Sequence, residues 1–326
     1  MTSILAMAGE NLLSPIILSF VLGLFAAFGR SDLSIPEAIA KGMSLYLLFA
    51  IGFKGGAGLA IHGLDLRLVA ALFTGMLLSL TLPLLAFVLL RYLAPVSVID
   101  AAAVAGHYGS ISIVTFLAAS SLLTERGISA ESYMVAVAAA MEAPAIVAAL
   151  WLATRGRESV RRPDATLWRD VLLNGSIVLL IGAFAIGWIT GPSGLAQIES
   201  FIVSPFKGVL CLFLLDMGLV AGRGLLTSRG ILTPGVVAFG LLMPLVGSTL
   251  GLASGLALGM STGGVALMAV LCASASYIAV PAAMRVALPE ANPALSLTLS
   301  LGVTFPFNLV LGIPLYLTLS ELIARK

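Results

Sequence analysis

Cys272-Ala273-Ser274-Ala275-Ser276-Tyr277-Ile278-Ala279-Val280-Pro281 places small and hydroxylated residues in the middle of a long apolar segment. Gly106-His107-Tyr108-Gly109-Ser110-Ile111-Ser112-Ile113-Val114-Thr115 does the same earlier in the chain. Adding 164 to 110 and to 112 gives 274 and 276, so Ser-x-Ser recurs at one fixed offset. Glycine and serine both weaken a helix: glycine frees the backbone, and serine competes for its hydrogen bonds. Inside a membrane, unwound backbone is tolerated only where it lines a polar cavity or is buried in protein. The two stretches therefore read as broken membrane helices facing each other across a substrate site. The same small residues also suit close packing between helices, and one motif taken alone does not separate these readings.

Composition sets the surroundings. The chain of 326 residues is 60% hydrophobic and 10% charged, with a mean hydropathy of +1.12. A soluble domain carries about 25% charged residues. So much apolar surface cannot be hidden in a core of this size, and the class is an all-α polytopic membrane protein. The apolar runs are long and do not alternate, so helices fit better than a barrel. The 34 glycines and 15 prolines predict close helix packing and some interrupted helices. Cys211 and Cys272 lie far apart in apolar runs and form neither metal spacing nor a disulfide framework. No basic block with interleaved aromatics points to nucleic acid. HExxH and GxxxxGK[ST] are both missing. The chain thus reads as neither an enzyme nor an ATP-driven pump, and no cofactor is expected.

A bilayer core takes about 20 helical residues. About ten spans follow on that rule: roughly 12–28, 36–53, 67–91, 100–123 and 132–153, then 171–189, 204–222, 234–255, 264–287 and 295–323. The second is expected to end or break near Lys54-Gly55-Gly56, and His62 to lie in a loop. Between the halves, Arg155, Arg157, Arg161 and Arg162 crowd one connection, with Arg169 close behind. The positive-inside rule puts that linker, 154–170, in the cytoplasm. Five spans on either side then place both termini outside. No Lys or Arg precedes Arg30, so no cleavable signal peptide is expected. An odd number of spans per half makes 1–153 and 171–326 inverted repeats if they are homologous. The offset of 164 also aligns Leu48-Phe49 with Leu212-Phe213 and Ala118-Ala119 with Ala282-Ala283.

Polar groups inside such spans are functional candidates because each costs free energy, on the order of 2.5 kcal/mol or more for a carboxylate at a helix centre. Glu142 stands in an otherwise uncharged run and is a candidate ligand for Na⁺ or H⁺. Its counterpart region, Thr304-Phe305-Pro306-Phe307-Asn308, offers Thr304 and Asn308 as further oxygen ligands. At the breaks, backbone N–H groups and hydroxyls from Gly109, Ser110, Ile111 and Ser112, and from Ser274, Ala275 and Ser276, suit a small anion. His107 and Asp216 are possible pathway residues, and Lys54 and Asp216 could pair. Each also has a plainer reading as a packing or helix-end residue.

At these motifs the chain resembles the sodium-dependent bicarbonate transporter family (SbtA-like), known best from cyanobacteria. The most specific stretch is ASASYIAVPAAMRVALPEANPALSLTLSLGVTFPFNLVLGIPLY, 273–316; IPEAI at 35–39 and LLDMGLVAGR at 214–223 fit as well. The resemblance implies two inverted five-helix repeats divided into gate and core parts. It implies a homotrimer in the bacterial inner membrane and inward symport of Na⁺, the coupling ion, with bicarbonate. It maps the anion site onto the two breaks, puts Glu142 where cyanobacterial members carry Asp, and implies a PII-like cytoplasmic regulator. His107-Tyr108 and Ile113-Val114 depart from the cyanobacterial pattern, which has apolar and small residues there. Another small anion, or a channel or sensor on the same scaffold, remains an alternative.

Overall fold

The structure is a computed structural model, and it describes residues 13–63, 66–154, 173, 175–227 and 230–324. The arginine-rich connection, with the expectation about its side of the membrane, lies outside the described residues. All regular structure among the described residues is helical. The first half runs α1 (Pro15–Phe28), α2 (Glu37–His62), α3 (Leu66–Leu93), α4 (Val98–Gly109), α5 (Ile113–Glu125), α6 (Met134–Ala140) and α7 (Glu142–Ala153). The second runs α8 (Gly175–Ile202), α9 (Phe206–Thr227), α10 (Pro234–Ala257), α11 (Thr262–Ala273) and α12 (Ala279–Ala287). It ends in α13 (Pro293–Leu299), a π-helical turn at Ser300–Thr304, α14 (Phe305–Phe307), a second π-helical turn at Asn308–Gly312, and α15 (Ile313–Ala324).

Among the described residues, eight stretches are long and apolar enough to cross a membrane, and Pro15–Phe28 and Thr262–Ala273 are shorter apolar helices. Each of the ten predicted regions contains described helix, and length and composition establish eight spanning stretches. Outer faces stay apolar: Val69, Phe73 and Leu77 on α3, and Ile181 and Ile189 on α8, are exposed. A water-soluble protein would bury such a stripe, so lipid is its solvent. The middle of the stretch Val98–Glu125 is enclosed by protein.

Local chemistry starts and bends these helices. Ser14 and Thr233 accept hydrogen bonds from Ile17 N and Val236 N, each followed by proline at the first helical position. Gly191 has a φ of 60° and precedes Pro192, so α8 kinks there and then continues to Ile202. The span expected to end near 189 thus meets a kink and not a terminus.

The expected interruption at Lys54-Gly55-Gly56 does not occur, and α2 runs unbroken through it to His62, which closes the helix. The glycines there serve packing. A Cβ on Gly56 would lie 1.9 Å from the Phe184 carbonyl oxygen, and one on Gly187 2.1 Å from that of Phe53. These two glycines let the backbones of α2 and α8 touch. The pair α1 and α9 repeats the device: a Cβ on Gly23 would lie 2.0 Å from the Leu215 oxygen, and one on Gly218 2.1 Å from that of Phe20. Gly23 plus 164 is Gly187.

The pairings repeat as well. Helix α2 packs on α8 as α9 packs on α1; α3 on α4 as α10 on α11; and α4 on α7 as α11 on α15. Helices α3 and α10 meet each other. Helices α1, α2, α8 and α9 form one group, and the broken helices belong to the other.

Candidate functional site

The two breaks are built alike. Helix α4 starts at Ser97, which caps Asp100 N, and ends at Gly109; α11 starts at Ser261, which caps Gly264 N, and ends at Ala273. Starts, ends and caps all differ by 164. The next residues are both extended serines, Ser110 (φ −84°, ψ 172°) and Ser274 (φ −88°, ψ 163°). The first break spans Ser110–Ser112; the second is longer, Ser274–Ile278. Ser112 caps the new helix α5 through Thr115 N, whereas α12 has no side-chain cap.

Each break holds the other. Ser112 N donates to Ser274 Oγ at 2.9 Å, and that hydroxyl donates onward to Leu271 O at 2.9 Å. Ser276 N donates to His107 O at 2.7 Å, and His107 Nδ1 lies 2.6 Å from Ser276 O. Glycine again permits the approach of neighbours. A Cβ on Gly109 would lie 2.1 Å from Pro83 Cγ, and one on Gly247 2.0 Å from the Cys272 oxygen. Pro83 and Gly247 are themselves 164 apart.

A third helix secures each break. Glu142 opens α7 beside the first, where Ser110 Oγ donates to its Oε2 at 2.7 Å. Ser79 Oγ donates to Met141 O at 2.5 Å, fixing the junction of α6 and α7. At the second, Asn308 Nδ2 donates to the Ala273 carbonyl at 2.8 Å, while its Oδ1 accepts from Tyr316 OH at 3.0 Å. Thr304 Oγ1 donates to Gly240 O at 2.8 Å. That leaves Tyr108 OH as the donor of the Tyr108–Thr304 bond.

A small cavity lies where the breaks meet. It has about 20 Å³ for the centre of a water-sized particle, enough for one or two waters or an ion. Ile111, Ser112 and Ile113 line it from the first break, Ser276, Tyr277 and Ile278 from the second, and Glu142 from α7. Leu48 of α2 and Ile177 of α8 close it from the other helix group. Tyr277 is buried, its ring edge-on to Phe305 at 5.5 Å, and its hydroxyl makes no hydrogen bond of good geometry although Ser112 lies beside it.

A wider cavity of about 580 Å³ lies nearby. Lys54, Glu125, Glu131 and Lys207 line it with Ile51 and Phe116. Lys207 pairs with Glu125 at 2.8 Å, Glu131 accepts from Ser261, and Lys54 Nζ lies 5.6 Å from the Phe206 ring centroid. Leu48 and Ile51 line different cavities, as do Ile113 and Phe116. Three residues of helix rise about 4.5 Å, so a thin layer separates the two spaces.

The structure thus brings together Ile111, Ser112, Ser276 and Glu142 of the predicted site. Ser110 reaches it through Glu142. Gly109, at the end of α4, and Ala275, within the second break, are buried without lining the cavity, and the Ser274 hydroxyl is occupied in holding Ser112. Thr304 and Asn308 lie away from Glu142's cavity, with their polar atoms engaged by Gly240, Tyr108, Ala273 and Tyr316. His107 also lies off the cavity, against Ser276. Asp216 is buried in α9 at neither cavity, and Lys54 faces Phe206 rather than pairing with it. Sequence reasoning missed Tyr277, although it adjoins the motif, and Leu48 and Ile177, which carry no local signal.

A family model described as the Na⁺-dependent bicarbonate transporter superfamily matches residues 15–321, nearly the whole chain. No curated protein matches it.

Proposed function

We propose, from the premise that this chain belongs to the Na⁺-dependent bicarbonate transporter superfamily, that it is a secondary transporter coupling Na⁺ influx to uptake of bicarbonate. The cavity shared by both breaks and Glu142 carries this reading. The anion sits between the breaks, with the Ser112, Ser276 and Tyr277 hydroxyls as donors and the N-terminal ends of α5 and α12 turned toward it. Na⁺ sits at the Glu142 carboxylate, and the space between the breaks widens to admit both ions.

Electrostatics makes the pairing obligatory. Two negative charges about 5 Å apart, at an effective dielectric of about 20, repel by about 3 kcal/mol. That alone weakens anion binding more than about a hundredfold. A cation on Glu142 removes the penalty, so neither ion binds well without the other.

The repeated pairings and the shared offset support two inverted five-helix repeats and ten spans. The group α1, α2, α8 and α9 is then the gate, and the helices carrying the breaks are the core. The thin layer between the cavities supports alternating access, in which core and gate shift so that the site opens to one side and then the other. The assembly is a homotrimer in the bacterial inner membrane, with both termini outside.

Uptake of labelled bicarbonate into proteoliposomes tests the reading. An inward Na⁺ gradient drives accumulation. Uptake that ignores Na⁺, or no uptake, contradicts it.

A further inference from the structure

One residue joins the two breaks twice. His107 lies in the last turn of α4 and is fully buried. Its carbonyl accepts from Ser276 N at 2.7 Å, and its Nδ1 lies 2.6 Å from Ser276 O. A carbonyl oxygen only accepts, so Nδ1 carries the proton and the tautomer is fixed. Both polar atoms of the Ser276 main chain are thereby held by His107. Ser276 and Tyr277, which flank this fixed peptide, line the small cavity from the second break together with Ile278.

The two tethers are not equivalent. The bond to the His107 carbonyl survives any substitution at 107. The bond from Nδ1 does not, and its loss leaves the Ser276 oxygen buried without a donor and its peptide free to rotate. An apolar side chain at 107 cannot supply it.

We propose that His107 is a positioning residue of the anion site: its Nδ1–H holds the Ser276 carbonyl, and so aims the Ser276 and Tyr277 hydroxyls into the cavity from across the break. This rests on the cavity being the anion site. His107 touches neither ion. Its effect is on affinity for the anion more than on the rate of the carrier's movement.

The test compares His107→Asn, His107→Gln and His107→Leu in Na⁺-driven uptake of labelled bicarbonate, with Ser276→Ala alongside. The Asn amide nitrogen falls where Nδ1 does, and the Gln amide nitrogen falls where Nε2 does. His107→Asn is expected to keep KM within about threefold, while His107→Leu and His107→Gln raise it about tenfold or more with a smaller change in maximal rate. Equal KM values in all three overturn the proposal, as does a fall in melting temperature with KM unmoved. If His107→Leu gives no folded protein, the Asn and Gln variants decide alone: a raised KM in Gln only supports the proposal, and equal values overturn it. Ser276→Ala separates the two claims. Raised KM there with silent His107 variants removes the positioning role only. An unmoved KM in Ser276→Ala removes the anion-site reading, and this inference with it.

Discussion

The two breaks share a plan and differ in what secures them. At the first, a carboxylate holds the break: Glu142 accepts from Ser110 and lines the cavity. At the second, an amide does: Asn308 donates to the Ala273 carbonyl and stays out of the cavity. Adding 164 to Glu142 gives Pro306, and subtracting it from Asn308 gives Pro144, so proline and polar residue have exchanged places. The two breaks thus have one charged side and one neutral side. A site for a cation beside an anion needs that asymmetry. Two carboxylates would repel the anion, and two amides would not hold the cation.

The close approaches test the shared plan and carry the largest effect. Gly247→Ala puts a methyl against the Cys272 backbone oxygen, and Gly109→Ala puts one against the Pro83 ring. Overpacking of this kind costs about 1–3 kcal/mol or more. Both variants should melt lower in detergent, Gly247→Ala more so, because backbone cannot turn aside. A Gly247→Ala protein as stable as the parent breaks the plan.

Glu142→Gln makes the two sides alike. The amide oxygen still accepts from Ser110, so the melting temperature should change little. The roughly hundredfold stimulation by Na⁺ should disappear, because a neutral amide neither repels the anion nor holds the cation. Retained Na⁺ dependence breaks the assignment. Asn308→Asp is the reverse exchange: it removes the donor to Ala273 and sets a carboxylate against that oxygen. A buried group left unpaired costs about 1–3 kcal/mol, so stability should drop more than in Glu142→Gln.

The serines sharpen the comparison further. Ser274→Ala strips Ser112 N of its acceptor and should cost about 1–3 kcal/mol of stability, whereas Ser276→Ala should cost little stability and raise KM. Tyr277→Phe should have the smallest effect on melting, since its hydroxyl has no well-formed hydrogen bond to lose. Its KM should rise.

Much of this fold is written locally. Long apolar runs, Ser-Pro and Thr-Pro starts, and Ser-x-Ser at a constant offset mark the helices and both breaks. What was not legible depends on partners far along the chain. Gly55-Gly56 reads as a break because glycine weakens helices; only the nearness of α8 shows it to be packing. Ser274 and Ser276 look equivalent in sequence, yet one is engaged by Ser112 N and the other faces the cavity. Thr304 and Asn308 flank Pro306, the counterpart of Glu142, but they lie in π-helical turns and bond to neighbouring backbone. Nothing in the apolar run of α13 to α15 announces those turns.

The most direct measurement is an electron cryomicroscopy map of the protein in bicarbonate and Na⁺. The account predicts anion density within hydrogen-bond distance of Ser112, Ser276 or Tyr277, with a cation at Glu142. Anion density confined to the wide cavity beside Lys54 and Lys207, with none at the breaks, would contradict it.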